Sequence, residues 1–121
     1  MNYWLVGAMP EGRDRHDEMI RRGYWYCVGP GDTQVARVHQ VQRGDRIAIK
    51  KMLGAGATEI EIRAIGIVTD VEPGQLTVYV NWLLTRLERR VETKGVMGAI
   101  SRPYQVDEPE FGDWLRQVFC I

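Results

Sequence analysis

Nine residues, Gly23-Tyr24-Trp25-Tyr26-Cys27-Val28-Gly29-Pro30-Gly31, place three large aromatics in a row directly before a glycine and proline turn. An apolar run this short reads as a strand, and a turn built of Gly and Pro lets another molecule approach the backbone closely. In a strand, Tyr24 and Tyr26 point to one face and Trp25 to the other. One ring need not belong to the core. The chemistry that suits an available Trp25 indole is stacking on a flat ring, such as a nucleobase lifted out of its strand. Core packing of all three rings explains the stretch equally well. Cys27 reads as a small buried hydrophobe before a nucleophile, and its backbone, next to Gly29, can still meet a base edge.

A base pocket also needs a basic rim for phosphates. Residues 33–51 carry Arg37, Arg43, Arg46, Lys50 and Lys51 against Asp45 alone, five positive charges less one negative. Residues 107–113 carry Asp107, Glu108, Glu110 and Asp113 and no base. Charge is thus polarised along a chain whose 16 basic and 16 acidic residues cancel. That balance excludes a strongly basic, non-specific nucleic-acid binder but not a local patch. The basic residues are 13 Arg and 3 Lys, and arginine suits phosphate and base edges. An ordinary solvated surface accounts for any single one of them. Asn81 is polar beside Trp82 within an apolar run and reaches either solvent or the pocket. Asp45, after a glycine at a strand start, suits a turn or cap.

Catalytic equipment is sparse. His16 and His39 fall on expected helices, and Ser101 is the only serine. No glycine loop followed by Lys-Ser or Lys-Thr is present to cradle phosphate. Glu59, Glu61 and Asp70 fit strand alternation as readily as metal ligation. Cys27 and Cys120 form no CxxC or zinc-spaced cluster. A non-enzyme with no metal and no cofactor is expected. The start has no basic region, and no apolar window approaches a membrane span. A cytoplasmic protein with two buried thiols and no membrane partner is the default.

The elements that must hold these residues follow from periodicity. The 121 residues, 45% of them hydrophobic, suit one domain with a packed core. Strands are expected over residues 3–8, 24–28, 46–51, 59–70 and 76–84, with a polar edge strand over 86–93 and a short one over 96–100. In the 59–70 stretch the alternation changes phase around Ala64-Ile65-Gly66, which predicts a bulge or a sharp bend. Helices are expected over 13–22, ended by Gly23, from Asp32 or Thr33 past Val41, and over 107–119 with Pro109 in its first turn. Trp4, Trp82 and Trp114 belong to the core. Roughly six strands, one of them bent, and three helices predict an α+β fold: a small, strongly curved mixed β-barrel with helices packed outside, spanning residues 1–121.

Tyr3-Trp4-Leu5-Val6 before Gly-Ala, Gly23 to Cys27 after a charged helix, Gly44-Asp45-Arg46-Ile47, and Ala64-Ile65-Gly66-Ile67-Val68 together resemble the PUA-like superfamily, more narrowly its EVE and YTH branches. Val80-Asn81-Trp82 and the stretch from Gly98 to Tyr104 resemble the EVE-like segments that accompany McrB-type restriction ATPases. The resemblance covers nearly the whole chain through short apolar motifs whose order carries it. It implies a PUA-like barrel with Trp25 at the position of the first cage tryptophan of YTH domains. Residues 52–57 hold no further cage aromatic, so Met9, Met52 or Leu53 would close the pocket beside Tyr26, Cys27 and Asn81. The implied function is a reader of a modified or flipped base, in DNA ahead of RNA, serving as sensor of a restriction or defence system with an ATPase or nuclease partner. RNA binding, or a non-catalytic protein-interaction module, are the alternatives.

Overall fold

The computed structural model describes residues 1–96 and 98–120. Strand β1 (Tyr3–Gly7) leads through a turn at Pro10–Gly12 to helix α1 (His16–Arg22). Strand β2 (Tyr24–Tyr26), helix α2 (Asp32–Gln40) and strand β3 (Arg46–Met52) follow. The long β4 (Glu59–Glu72), then β5 (Thr77–Leu84), β6 (Arg89–Glu92) and helix α3 (Gly112–Phe119) complete the order. Among the described residues these are six strands in one strongly curled sheet and three helices, as the periodicity predicts.

The strand order is β1-β3-β4-β5-β2, with β6 joined to the first half of β4. The pairing of β1 with β3 is parallel and the rest are antiparallel. Strands β1 and β2 are the two ends of this order, yet Trp25 Nε1 of β2 donates to Gly7 O of β1 at 2.8 Å. The sheet therefore curls until its ends meet.

Alternation along the strands sorts apolar side chains to two faces. One face gathers Trp4, Val6, Trp25, Ile47, Ile49, Val68, Val78 and Val80 under Met19 of α1 and Val38 of α2. The other gathers Leu5, Ala48, Ile60, Ile62 and Ile65 under Trp114, Leu115 and Val118 of α3. Each large apolar side chain so buried stabilises the fold by about 1.5–3 kcal/mol.

Curling needs bulges, and the pairings of β4 with its neighbours contain them. Ile49 pairs with Ala64 but Lys50 with Ile62, so Arg63 is the extra residue. A second shift falls between Ile65 and Gly66 against β5. A Cβ on Gly66 would stand 2.5 Å from Val80 Cγ1 and 2.7 Å from Asn81 O. Only glycine permits that approach, while the phase change in the alternation falls at the Arg63 bulge, with Ile60, Ile62 and Ile65 on one face and Ala64 and Val68 on the other.

Some boundaries differ from the expectation. Helix α1 starts at His16 because the Asp14 carboxylate caps its first turn, accepting from His16 N at 3.0 Å; Gly23, in the left-handed region, ends it as expected. Helix α3 starts at Gly112, not at 107. The acids before it are in turns: Glu108 accepts from Gln105 N at 2.6 Å and pairs with Arg102 at 2.9 Å. Residues 96–100 contribute only a bridge, Ile100 to Val6, in place of a strand; Met97 of that stretch lies outside the described residues. Cys120, expected to be buried, is exposed.

The tryptophans expected in the core take polar partners for their indole N–H. Trp4 is buried and donates to Asp45 Oδ2 at 2.9 Å. Asp45 also accepts from Asn2 N and Gln42 N, which is the turn role its position suggests. Half-buried Trp82 donates to Met19 O, and buried Trp114 to Glu92 O. No described helix is long and apolar enough to cross a membrane.

Candidate functional site

Where the sheet ends meet, a cavity of about 540 Å³ opens. Its walls come from the end of β1 and the turn after it (Gly7 to Glu11), the end of β2 (Tyr26, Cys27 and Val28), the end of β3 (Lys50, Lys51 and Met52), Arg63, and Gly98 with Ala99. Local sequence explains each wall. The glycine–proline turn ends β2 early and leaves Val28 exposed. The parallel pairing of β1 with β3 brings Gly7 opposite Lys50. The bulge re-aims Arg63. Met9, Val28 and Met52 stand exposed around the mouth.

Trp25 does not stand in this cavity. It is 0% exposed and packs inside the curl. Of the three rings, the one expected to receive a base is the one the interior consumes, so the match to the first cage tryptophan fails as a binding surface. The physical reason is closure: β2 faces β1 only if a large side chain fills the gap and its N–H holds the Gly7 carbonyl. Tyr26, pointing to the opposite face of β2, is half-buried and lines the cavity instead. Its ring packs edge-on against Tyr24 with centroids 5.4 Å apart, and its hydroxyl donates to Glu18 at 3.2 Å.

The structure places Met9, Tyr26, Cys27, Lys50, Lys51 and Met52 around this one cavity. It leaves Leu53 and Asn81 out. Leu53 follows β3 half-buried without lining the cavity, and Asn81 is an exposed β5 residue paired with Ile67. The expected basic rim divides. Arg46 is at the opposite end of β3 from Lys51, about 17 Å away at the rise of a strand, and its guanidinium folds back onto Gly44 O. Arg43 pairs with Asp70 at 3.7 Å. Arg37 donates to Ile100 O at 2.9 Å and lines a separate cleft of about 360 Å³ with Gln34, Ser101, Arg102 and Tyr104. Gly98 lines both openings.

Sequence reasoning missed Arg63, whose guanidinium is held by Asp14 at 2.9 Å. The one available signal was its position beside the phase change in β4.

Lys50 is the unusual group. It is 4% exposed, and its Nζ donates to Gly98 O at 3.0 Å. No described carboxylate pairs with it. Burial alone lowers its pKa from the ordinary 10.5 to about 8. A Cβ on Gly7 would lie 3.8 Å from Nζ, at ordinary contact distance, so the ammonium sits against the Gly7 backbone. Cys27 beside it is buried, and burial pushes its thiol up, away from the nucleophilic thiolate.

A second buried ionisable side chain lies on α1. Burial, then the nearby Arg63 charge, lowers the His16 pKa. Its Nδ1 meets Asp17 at 3.2 Å while Nε2 has no partner among the described residues. Among the described residues, no group of three or more potential ligands could hold a metal ion.

The arrangement offers an apolar slot, one aromatic edge and a charged wall of Lys50, Lys51 and the Asp14-paired Arg63, with Glu11 as its one acid. That combination suits a flat, partly polar ligand attached to something anionic. Neither a protein-family model nor a curated protein sequence matches the chain.

Proposed function

We propose that this chain is a non-catalytic nucleic-acid reader that takes a modified or flipped base into the cavity at the seam of the curled sheet. One observation carries the reading: a cavity of about 540 Å³, walled by Met9, Tyr26, Val28 and Met52 and edged by Lys50, Lys51 and Arg63. The volume falls in the range of ligand sites, about 300–1,000 Å³. An EVE-type, PUA-like domain acting as sensor beside a cytoplasmic restriction or defence ATPase or nuclease fits this role.

The energetics set a condition. Stacking on one aromatic contributes about 1–3 kcal/mol, while flipping a base out of duplex costs a few kcal/mol. Tyr26 alone does not balance that cost. The basic wall must supply the remainder, and a single strand, a mismatch or a damaged pair is the easier target.

Fluorescence-labelled oligonucleotides of one sequence, with one central base varied, test the reading. Binding that depends on the central base and weakens at least tenfold in Tyr26→Ala supports it. Equal binding by wild type and Tyr26→Ala across the whole panel rejects it. Matched RNA strands in competition decide between the sugars, since the 2′-hydroxyl is the discriminating group.

A further inference from the structure

Six of the carbonyls along the cavity walls already accept a hydrogen bond. Gly7 O accepts from Trp25 Nε1, Ala8 O from Arg15 N, Met9 O from Gly12 N and Pro10 O from Arg13 N. Gly98 O accepts from Lys50 Nζ, and Ala99 O from Gly7 N. Around Gly7 and Gly98 the remaining polar capacity is therefore mainly donor capacity, with buried Lys50 as its chief group, while the exposed Glu11 also lines the cavity. An ammonium has three N–H groups. Among the described residues Lys50 satisfies one, on Gly98 O. Gly98, which accepts that bond, and Gly7, which pairs with Lys50 across β1 and β3, both line the cavity. A buried donor short of partners favours any ligand that supplies an acceptor there, and most of all one that supplies a negative charge.

We propose that Lys50 is the specificity-determining residue of this cavity and selects a ring whose inner edge carries an oxo or carboxylate group over one whose inner edge carries an amino group. The inference rests on the base-pocket reading for its biological ligand, but not for its chemistry. An amino edge brings a donor against a donor and leaves the ammonium with Gly98 O as its one described partner. An oxo edge takes one of its free N–H groups, and a carboxylate also neutralises the charge that the apolar walls disfavour. Lys51, exposed at the mouth, adds affinity for any phosphate chain and no discrimination.

The test has two arms. In the first, labelled single strands carrying uracil, 5-carboxycytosine or cytosine at one central position are titrated at pH 7. Wild type is expected to favour the first two over cytosine by on the order of tenfold or more, the yield of a charge-assisted hydrogen bond. The preference is expected to shrink toward one in Lys50→Met and, for wild type, at pH 9.5, where the amine is neutral. Lys51→Ala is expected to weaken all three strands alike. The second arm uses no nucleic acid: free orotate, a pyrimidine with oxo and carboxylate groups, is compared with free cytosine through the amide signals of Gly7, Gly98 and Lys50. Orotate binding that needs Lys50, with no binding of any strand, rejects the nucleic-acid reading and keeps the inference. A preference unchanged in Lys50→Met and at pH 9.5, or no orotate response at those amides, overturns the inference.

Discussion

Replacing Lys50 by methionine is expected to change stability in a pH-dependent way whose size follows from burial. The ammonium has been moved from water to a site where its pKa is about 8 instead of 10.5. At 1.36 kcal/mol per pH unit this corresponds to about 3 kcal/mol. The folded-state value is depressed, so the unfolded chain binds the proton more tightly. Stability is then highest above pH 10.5, falls as pH drops toward 8, and levels off below. Wild type carries the full penalty at pH 7 and little of it at pH 10.5. Lys50→Met keeps the volume of the side chain and carries no penalty at either pH. It loses the bond to Gly98 O, worth about 1 kcal/mol, at both. Tyrosines that titrate at high pH do so in both proteins and cancel. Urea unfolding of the two proteins at pH 7 and pH 10.5 gives four free energies. The stability difference between variant and wild type is expected to move by about 3 kcal/mol in wild type's favour from the lower pH to the higher. That displaces the urea midpoints by about 1 M or more. A difference that stays constant with pH would show Lys50 to be solvated like any surface lysine, and the account of the cavity floor would be wrong.

Other expectations follow from the same packing. Trp25→Ala should destabilise by about 3–5 kcal/mol, as a large-to-small change in the core, and Trp25→Phe by about 1–3 kcal/mol through the orphaned Gly7 carbonyl; thermal or urea melts read both. Gly66→Ala should cost at least about 1–3 kcal/mol, because its Cβ meets the Asn81 backbone and not a flexible tip; a stability within error of wild type would remove Gly66 as the hinge of the curl. Asp45→Ala should cost more than about 2 kcal/mol by stranding the donors of Trp4, Asn2 and Gln42, again measured by unfolding. His16 binds its proton more weakly when folded, so stability should fall as pH drops below the ordinary histidine value, until the folded form is also protonated. His16→Gln should flatten that acid limb, and an unchanged pH profile would assign the limb to other groups.

Much of the fold is written in period-two alternation. The six strands, the bend at Gly66 and the core place of Trp4 follow from it, because strand period and burial are local properties. Closure is not local. Whether Trp25 faces a ligand or fills the seam depends on where β1 ends, and β1 lies at the other edge of the sheet, so alternation could assign the ring to a face and not to a neighbour. The basic cluster failed for a related reason: proximity in sequence between Arg43, Arg46 and Lys51 becomes separation along an extended strand. In sequence Lys50 is one of the five cations of residues 33–51 and nothing local separates it from the other four. Its burial comes from pairing with Gly7 and from the Gly98 carbonyl, both remote in sequence. Helix α3 starts late because the Glu108 carboxylate serves Arg102 and the Gln105 N–H, a tertiary arrangement that the acidic run alone could not distinguish from a first turn.

The most direct test of the cavity as a base site is an amide chemical-shift titration of the folded protein with a short single strand carrying one modified base. The expected result is a contiguous set of shifts at Gly7, Met9, Tyr26, Val28, Lys50, Lys51 and Gly98, absent with the same strand lacking the base at that position. Shifts confined to Arg43, Arg46 and the second cleft, or identical for the abasic strand, would contradict it.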